Sequence, residues 1–438
     1  MLSKFCHFIR LDRKHVGCFN SILFKPIILS NKEYSALKKD DYTKFNDSDL
    51  KELENRGIII NNIDKDIEAE KLLKQYVNNC VKSGISLIYM IPSNICNLGC
   101  KYCFIGKLDD KYKQEMSFET IDNIVKKYVN HLVQNNFTKA TVVFYGGEPL
   151  TAFEKVKYAV KKFNEFKEIK WEFAIVSNAT LINKDIANFF KKNNFGVGIS
   201  IDGPKEINDI NRVFKNSSTT SVYDTIINKL DLLKKSDVNV GLSITLTDAI
   251  LNNQDDFLNW LEHLGINDIN YNLLHFTEKN KQWKEYYQKA SEFLFKSNEY
   301  LKKYSIIDDR LQRKVRAFNS KEFKYNDCGA IGGHQLCFSP LGDVTVCHGY
   351  WHSGKEKCGN INVNSFDEIM KTDNFKKWQN NLTINKSECL NCEAIYICGG
   401  GCAMQSNDLF DNQLLLDKGF CIHTKRTLKE LLKNLISE

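Results

Sequence analysis

The sequence has no apolar run of the length, about 18 residues, that a membrane-spanning helix needs. Its N-terminus, MLSKFCHFIRLDRKH, interrupts the apolar residues with charges and so lacks the apolar segment of a secretory signal peptide. Charges of one sign do not form blocks, and the net charge of +7 is modest for 438 residues. These absences argue against association with membranes or nucleic acid and favour a cytoplasmic protein.

Cysteine, in contrast, is plentiful and unevenly placed. The chain has 15 cysteines, an odd number, and a reducing compartment disfavours disulfides. Three lie at positions 96, 100 and 103, none follows until position 328, and eight more occur by position 421. Cysteines crowded in this way in a cytoplasmic chain indicate metal sites or redox chemistry.

The middle of the chain alternates between strand-like and helix-like segments. The strand-like segments are SLIYMIPSN, KATVVFYGGEP, WEFAIVSNA, FGVGISIDGP, VNVGLSITLT and INDINYNLLHF. Helical patterns such as SFETIDNIVKKYVNHLV and SVYDTIINKLDLLKKS lie between them. This alternation predicts an α/β fold with a parallel sheet. Six such units predict a partial (β/α)6, TIM-like barrel over residues 86–320, with function at the C-terminal ends of the strands.

The two ends of the chain differ from the middle. Residues 1–85 combine short strands (CHFIRL, GCFNSILFKPIIL) with two short helical segments, and Gly57 then precedes an expected edge strand, IIIN. This pattern predicts a winged-helix-like module. Residues 321–438 are rich in cysteine and glycine, and CFSPLGDVTVC within them is typical of a β-hairpin that turns at positions 341–343.

The segment CNLGCKYCF places Cys96, Cys100 and Cys103 directly after the first barrel strand. Three thiolates hold three irons of a [4Fe–4S] cluster and leave the fourth iron open for an external ligand. The alternative is a zinc site that a distant His or Cys completes. A further alternative, of another class, is a non-catalytic metal-binding or electron-transfer protein, although such a carrier needs no open iron.

With the aromatic Tyr102 before its last cysteine, the CxxxCxxC loop resembles the signature of the radical S-adenosylmethionine (SAM) superfamily. The resemblance implies that SAM binds the open iron and is cleaved reductively to a 5′-deoxyadenosyl radical. It also implies cofactor contacts for polar and glycine residues at the ends of successive strands. These residues are Tyr102, Gly146, Gly147, Glu148, Ser177, Asn178, Ser200, Asp202 and Arg212.

The cysteines of the tail resemble the SPASM extension of radical SAM peptide- and protein-modifying enzymes. That resemblance implies two auxiliary [4Fe–4S] clusters, each with four cysteine ligands. The first would take Cys328, Cys337, Cys347 and Cys402, and the second Cys389, Cys392, Cys398 and Cys421. Together with the open cluster these use eleven of the 15 cysteines. Of the other four, Cys6, Cys18 and Cys80 are expected to be small buried hydrophobes, whereas Cys358 lies among the ligands and could replace one or contact substrate.

The N-terminal module resembles the recognition element that binds leader peptides in maturases of ribosomally made peptides, by strand addition at a sheet edge. A capping module without a ligand is the alternative. In sulfatase-maturing enzymes, which share this plan, a basic Asp follows the cysteine that corresponds to Cys347. Here His348 stands at that position, either as a proton acceptor or as a hydrogen-bonding neighbour of a cluster. His275, at the end of the sixth strand, is expected to be a satisfied rim histidine.

These resemblances imply an enzyme that crosslinks a cysteine-containing precursor peptide oxidatively, most simply by a thioether. The auxiliary clusters would accept an electron as the crosslink closes. The implied partners are a precursor peptide with a leader and a flavodoxin- or ferredoxin-type reductant. A formylglycine-generating sulfatase maturase and a carbon–carbon crosslinking maturase are the alternatives within the same chemistry.

Overall fold

The computed structural model of the chain describes residues 1–81, 84–103, 105, 113–217, 219–276, 282–320 and 322–436. Its first strands, β1 (Cys6–Arg10), β2 (His15–Asn20) and β3 (Ile27–Ser30), form an antiparallel sheet in that order. Three helices follow, α1 (Asn31–Lys38), α2 (Asp47–Asn55) and α3 (Asp64–Val81), with a short 3-10 turn at Tyr42–Lys44.

Local capping explains where the first two helices begin. Ser30 caps α1 and Asn46 caps α2, each in a reciprocal capping box with the acidic residue three positions later. Gly57 lies just beyond α2 with φ +65°, the left-handed conformation that glycine adopts readily. The edge strand predicted after Gly57 is wrong, because only a single bridge joins Ile59 to Leu2. The long helix α3 was not anticipated.

The predicted parallel sheet is confirmed. Six of the seven strands described in this part of the chain lie in the expected segments, and the short last strand was not predicted. They are β4 (Leu87–Met90), β5 (Lys139–Phe144), β6 (Lys170–Ser177), β7 (Gly196–Ser200), β8 (Asn239–Leu246), β9 (Asp268–Leu273) and the short β10 (Ile307–Asp308). The helices of this part are α4 (Phe118–Gln134), α5 (Phe153–Phe163), α6 (Lys184–Lys192), α7 (Lys205–Asn211), α8 (Val222–Lys235), α9 (Asp248–Asn252), α10 (Gln254–His263), α11 (Trp283–Leu301) and α12 (Asp309–Ser320), with 3-10 turns at Pro149–Ala152 and Lys302–Tyr304.

The tail continues the same sheet. Its strands are β11 (Gln335–Phe338), β12 (Asp343–Thr345) and β13 (Lys357–Asn360). The predicted hairpin is present as the antiparallel pair β11–β12, and β11 also pairs in parallel with β4. The ten strands therefore run in the order β10-β9-β8-β7-β6-β5-β4-β11-β12-β13.

Short helices make up the rest of the tail. They are α13 (Phe366–Lys371), α14 (Asp373–Gln379), α15 (Ser387–Leu390), α16 (Ile395–Cys398), α17 (Ala403–Phe410) and α18 (Lys418–Asn434), with a 3-10 turn at Thr383–Asn385. Within the described ranges, no helix combines the length and apolar character needed to cross a membrane.

Two buried clusters join the three parts of the chain. The main core unites barrel residues such as Phe144 with tail residues such as Val344 and Met404. A second core joins the N-terminal sheet to the tail. In this core Phe24 stacks on Tyr396, with ring centroids 4.6 Å apart. Both the barrel and the N-terminal sheet thus rest on the cysteine-rich tail.

Candidate active site

The three-cysteine loop begins shortly after β4 and is tied to the segment that follows α7. The amide of Gly99 donates to the carbonyl of Val213 (2.8 Å), and that of Lys101 donates to the carbonyl of Asn211 (3.0 Å). A third bond runs from the amide of Lys215 to the carbonyl of Asn97 (3.0 Å). These bonds hold the loop across the C-terminal ends of the barrel strands.

The thiols of this loop lie within electrostatic reach of one another. Burial raises the pKa of Cys96 to about 12, and the charges of Glu148 and Cys100 add to the effect. Burial likewise raises the pKa of Cys100, with a further contribution from Cys103. Metal binding must therefore displace protons from these sulfurs.

Gly146 and Gly147 make room for the backbone of the cysteine loop. Gly146 has φ +133°, and a Cβ there would lie 2.8 Å from the carbonyl oxygen of Ser93. A Cβ on Gly147 would lie 2.5 Å from the carbonyl oxygen of Ile95. The two glycines thus allow a close approach to the protein's own chain, which positions the neighbouring Glu148.

Glu148 links the ends of β5 and β6. Its carboxylate accepts hydrogen bonds from the Ser177 hydroxyl (2.8 Å), the Asn178 amide (2.7 Å) and the Leu150 amide (3.1 Å). The side chain is buried, and burial raises its pKa to about 7. A carboxylate has about four acceptor positions, so one remains for a further donor. This geometry fits the ammonium group of SAM.

Asn178 connects strand β6 to the cysteine loop. Its side-chain nitrogen donates to Asn97 Oδ1 (2.9 Å) and lies 3.8 Å from Cys96 Sγ. Its oxygen accepts from the amide (3.0 Å) and hydroxyl (2.7 Å) of Thr180. Asn178 therefore fixes one face of the loop, beside its first sulfur.

Asp202, Arg212 and Tyr102 form a buried polar network. Arg212 binds Asp202 through Nε (2.8 Å) and Nη2 (3.0 Å), and the Tyr102 hydroxyl also donates to this carboxylate. The amide of Thr245 donates to Asp202 Oδ1 (3.0 Å). Because both oxygens of Asp202 are engaged within the protein, the geometry favours a positioning role over direct cofactor contact. Ser200 is half-buried at the end of β7.

The first predicted set of tail cysteines lies together. Burial raises the pKa of Cys347, and the charges of Cys328 and Cys337 add to it. Loss of hydration, together with the charges of Cys347 and Cys328, raises the pKa of Cys402 well above its usual value. Cys347 therefore lies within electrostatic range of Cys328, Cys337 and Cys402.

The second predicted set also lies together. Burial raises the pKa of Cys389 to about 12, with contributions from Cys398 and Cys392. Burial raises the pKa of Cys421 as well, and the same three thiols contribute to that increase. These interactions agree with the two predicted groups, and the assignment of the eight cysteines as cluster ligands stays a prediction.

Thiol donors alone fit iron–sulfur clusters, whose several irons separate the ligating sulfurs. In the part of the chain that is described, no three His, Cys, Asp or Glu side chains form a group suited to one metal ion. Cys358 packs in the main core, where its thiol donates to the carbonyl of Glu356 (3.5 Å). Cys18 is buried with its sulfur 3.9 Å from that of Cys6, and Cys80 is half-buried.

Two protein-family models match this chain. Residues 90–264 match the Radical SAM superfamily, and residues 328–393 match the SPASM iron–sulfur cluster-binding domain. The chain belongs to the radical SAM superfamily. It is an enzyme whose cofactors are SAM, the SAM-binding cluster and auxiliary iron–sulfur clusters.

Two curated relatives of this radical SAM enzyme differ in how much of it they match. The radical SAM cyclopropyl synthase TigE of Paramaledivibacter caminithermalis is 25% identical, over 99% of this chain and 96% of its own length. The cysteine-type anaerobic sulfatase-maturating enzyme of Clostridium perfringens is also 25% identical, but over 81% of this chain and 98% of its own length.

Two solved structures also differ in how much of this chain they match. The structure of anSMEcpe with bound AdoMet has a TM-score of 0.69 and 22% identity, and it covers 80% of this chain and 98% of its own. Streptococcus suis SuiB bound to precursor peptide SuiA has a TM-score of 0.55 and 14% identity, and it covers 96% of this chain and 99% of its own. Both likenesses support the radical SAM fold with its tail.

His348 lies between two tyrosines of the barrel. Its ring stacks on that of Tyr89 (centroids 4.4 Å apart, 19° between planes) and meets the edge of Tyr145 at 5.3 Å. Burial lowers the pKa of His348 to about 4, so the imidazole is neutral near pH 7. Its Nδ1 atom has no hydrogen-bond partner among the described residues. The catalytic role of His348 stays a prediction.

His275 joins the last long barrel strand to the tail. Its Nε2 atom lies 2.5 Å from a carboxylate oxygen of Asp408 on α17. The adjacent Phe276 exchanges two hydrogen bonds with the Gln405 side chain, at 2.9 and 2.7 Å. The expectation of a satisfied rim histidine agrees with this contact.

Sequence reasoning missed several residues that shape this radical SAM site. Tyr89 alternates with the buried Ile88 and Met90 on β4, which is a signal for the opposite face of the strand. Asn97 lies inside the cysteine motif itself, and its bond to Asn178 could have been sought among polar residues at the end of β6. Tyr145 directly precedes Gly146, and no pattern in the sequence indicates that it contacts His348.

Proposed function

We propose that this enzyme closes a new covalent bond within a ribosomally made precursor peptide, with loss of two hydrogen atoms. The observation that carries the proposal is the length of the match. The peptide-type relatives TigE and SuiB extend over 99% and 96% of this chain, whereas the sulfatase-maturating enzyme extends over 81%. SuiB has been solved with a precursor peptide bound to it.

Three parts of the chain would divide this task. We assign residues 1–85 to leader recognition, residues 86–320 to the SAM barrel and residues 321–438 to the auxiliary clusters. In the first part, β1 and β3 are the outer strands of a three-stranded sheet, and an outer strand offers backbone groups to an added peptide strand. The same sheet contacts the tail through Phe24, so a bound leader would lie close to the clusters.

The residues of the barrel would hold SAM and exclude water. Cys96, Cys100 and Cys103 would ligate the open cluster, Glu148 would accept the SAM ammonium, and Arg212 would pair with its carboxylate. When bound, these cofactors supply a one-electron cleavage of SAM that removes a hydrogen atom from substrate. A flavodoxin- or ferredoxin-type partner would deliver the electron.

The overall reaction balances without net consumption of electrons. SAM and two substrate hydrogens are converted into methionine, 5′-deoxyadenosine, the new bond and one proton. One hydrogen atom leaves with 5′-deoxyadenosine, and the second leaves as a proton and an electron. That electron replaces the one used to cleave SAM, and the eight tail cysteines would hold the clusters that receive it.

The second atom of the new bond distinguishes two forms of the proposal. A cysteine sulfur would give a thioether, the form that the sequence motifs imply. A carbon atom would give a carbon–carbon bond, the form that similarity to a cyclopropyl synthase supports. Both forms remove two hydrogens, and only the thioether removes a thiol that an alkylating reagent could modify.

Formylglycine formation on a sulfatase is the second candidate function. The C. perfringens relative and the anSMEcpe fold support it. The buried, neutral imidazole of His348 counts against it, because this position carries a basic Asp in the sulfatase-maturing family.

The test is the intact mass of a short cysteine-containing peptide encoded beside this protein, after anaerobic co-expression. Loss of two hydrogens per bond, with matching cysteines resistant to alkylation, would establish a thioether. The same loss with all thiols alkylatable would establish a carbon–carbon bond. An unchanged peptide, together with conversion of a sulfatase cysteine to formylglycine, would refute the proposal in favour of the second candidate.

Leader recognition has its own measurement. Hydrogen exchange of the full-length enzyme is compared with the leader peptide and with a scrambled leader. Strand addition predicts slower amide exchange in β1 (Cys6–Arg10) or β3 (Ile27–Ser30), because new backbone hydrogen bonds would protect one of these strands. Equal exchange with both peptides would show that the module is a cap without a ligand.

A further inference from the structure

Three cations converge on one carboxylate between the two groups of tail cysteines. Lys314 Nζ and Lys324 Nζ each lie 3.9 Å from Asp327 Oδ1, and Arg313 Nη1 lies 3.7 Å from Asp327 Oδ2. Arg313 and Lys314 belong to α12, and Asp327 directly precedes Cys328. We call Arg313, Lys314 and Lys324 the cationic cluster.

Lys314 is the least accessible member of the cationic cluster. Its side chain is 0% exposed, compared with 15% for Lys324 and 25% for Arg313. Its ammonium has no hydrogen-bond partner among the described residues and lies 4.0 Å from the ring centroid of Phe420. Burying an ammonium without hydrogen bonds is costly, so a nearby negative charge is expected.

Asp327 alone does not balance the cationic cluster. Asp309 pairs with Arg313 at 3.0 Å, so two carboxylates, Asp327 and Asp309, face the three cations. Burial lowers the pKa of Lys314 to about 8, so the ammonium remains mostly protonated at pH 7. An excess of positive charge is left inside the protein.

The cysteine groups supply the missing negative charge. Helix α12, which carries Lys314, packs against α16, which ends at Cys398 of the second group. Phe420, whose ring the Lys314 ammonium faces, directly precedes Cys421 of the same group. Lys314 and Lys324 both interact electrostatically with Cys398, whereas Arg313 interacts with Cys328 of the first group. A cluster bound by four thiolates is anionic and gains a further negative charge on reduction, and its net charge and surroundings set its reduction potential. A buried cation next to it therefore stabilises the reduced form, since Coulomb interactions are strong where water is excluded.

We propose that Lys314 raises the reduction potential of the second auxiliary cluster, the one assigned to Cys389, Cys392, Cys398 and Cys421. With its potential raised in this way, the second cluster would be the preferred acceptor of the electron released on bond closure. The effect on the potential rests on the ligand assignment, and the direction of electron flow also rests on the proposed function.

The test is a potentiometric titration of the full-length, fully loaded enzyme, followed by electron paramagnetic resonance. Lys314→Met keeps the length of the side chain and removes its charge. We expect the midpoint potential of one auxiliary cluster to fall by at least about 59 mV, a tenfold change in the one-electron equilibrium. The signal that shifts should be the one missing from a Cys392→Ala variant. Lys314→Arg should retain the wild-type potential.

Lys425 provides a matched control. It also interacts with two cysteines of the second group, Cys392 and Cys421, but its side chain is 48% exposed and pairs with Glu393 at 3.0 Å. Lys425→Met should change the potential less than Lys314→Met, because solvent screens an exposed charge. Lys324→Met should lower the same potential by an intermediate amount and provides a second test that leaves the fully buried position intact.

The proposal is overturned if neither Lys314→Met nor Lys324→Met shifts the second cluster more than Lys425→Met does, with iron content unchanged. An equal shift of every cluster in the enzyme would also overturn it, because the loss of one local charge should not affect all clusters equally. The titration requires no peptide, so its outcome is independent of the mass measurement that tests the proposed function.

Discussion

Replacing Asp202 with Asn tests whether the buried network behind the cysteine loop positions Arg212. The Asp202 side chain is 0% exposed and that of Arg212 is 7% exposed, and they share two hydrogen bonds of 2.8 and 3.0 Å. Asn keeps the shape of the side chain but leaves the guanidinium without its counter-charge. Removing one partner of a buried ion pair costs about 3–5 kcal/mol, so the free energy of unfolding should fall by that amount.

The assay is urea-induced unfolding of the anaerobically reconstituted enzyme, measured with and without saturating SAM. If Arg212 also pairs with the SAM carboxylate, SAM should recover part of the loss in Asp202→Asn and stabilise this variant more than the wild type. Tyr102→Phe is the matched control, since it removes a single hydrogen bond to the same carboxylate. Its expected cost is about 1.5–3 kcal/mol, without extra recovery by SAM.

Two results would contradict this reasoning. A loss below about 1 kcal/mol in Asp202→Asn, the cost of one ordinary hydrogen bond, would mean that another group balances the charge of Arg212. Equal stabilisation of the variant and the wild type by SAM would mean that Arg212 does not meet the cofactor. Neither outcome would bear on the assignment of the cysteine ligands, which iron content tests separately.

Three shorter predictions concern other parts of the molecule. Cys392→Ala should lower the iron content by about four atoms, one [4Fe–4S] cluster, and reduce product formation while some SAM cleavage survives; unchanged iron would refute the ligand assignment. Gly147→Ala should abolish SAM binding measured by equilibrium dialysis, because its Cβ would lie 2.5 Å from a carbonyl oxygen of the loop. Gly99→Ala, whose Cβ would meet the Lys215 side chain at 3.6 Å, is its control and should bind normally. Phe24→Ala should cost about 3–5 kcal/mol of stability and speed proteolysis of the N-terminal sheet, and unchanged proteolysis would show that the stack with Tyr396 does not hold it.

Local patterns predicted the barrel because each of its strands carries its own signal. Apolar, β-branched runs such as KATVVF specify a buried strand wherever they occur, and the serine caps at 117 and 221 specify where α4 and α8 begin. The grouping of the tail cysteines came instead from the resemblance to the SPASM extension, because each group joins cysteines that are far apart in the chain, such as Cys328 and Cys402.

Pairings between distant segments were beyond such patterns. The parallel pairing of β11 with β4 joins Gln335 to Leu87, which are far apart in the chain. No residue pattern in QLCF indicates that it pairs with LIYM. The cationic cluster is a similar case, because Lys314 lies in a helix of low hydrophobicity and its burial depends on Phe420 from another helix. The expected strand at IIIN is reduced to a single antiparallel bridge between Ile59 and Leu2, while Ile58 and Ile59 pack in the N-terminal core.

The stack of Phe24 on Tyr396 has a consequence for enzyme engineering. Tyr396 lies between Cys392 and Cys398, so the N-terminal module packs against a segment that bears proposed cluster ligands. A chimera whose first 85 residues come from a related enzyme would therefore replace Phe24 and its surroundings while keeping Tyr396, and the two surfaces would no longer match. Exchanging the two aromatic surfaces as one unit is the design rule that we draw for replacing the N-terminal module of this enzyme.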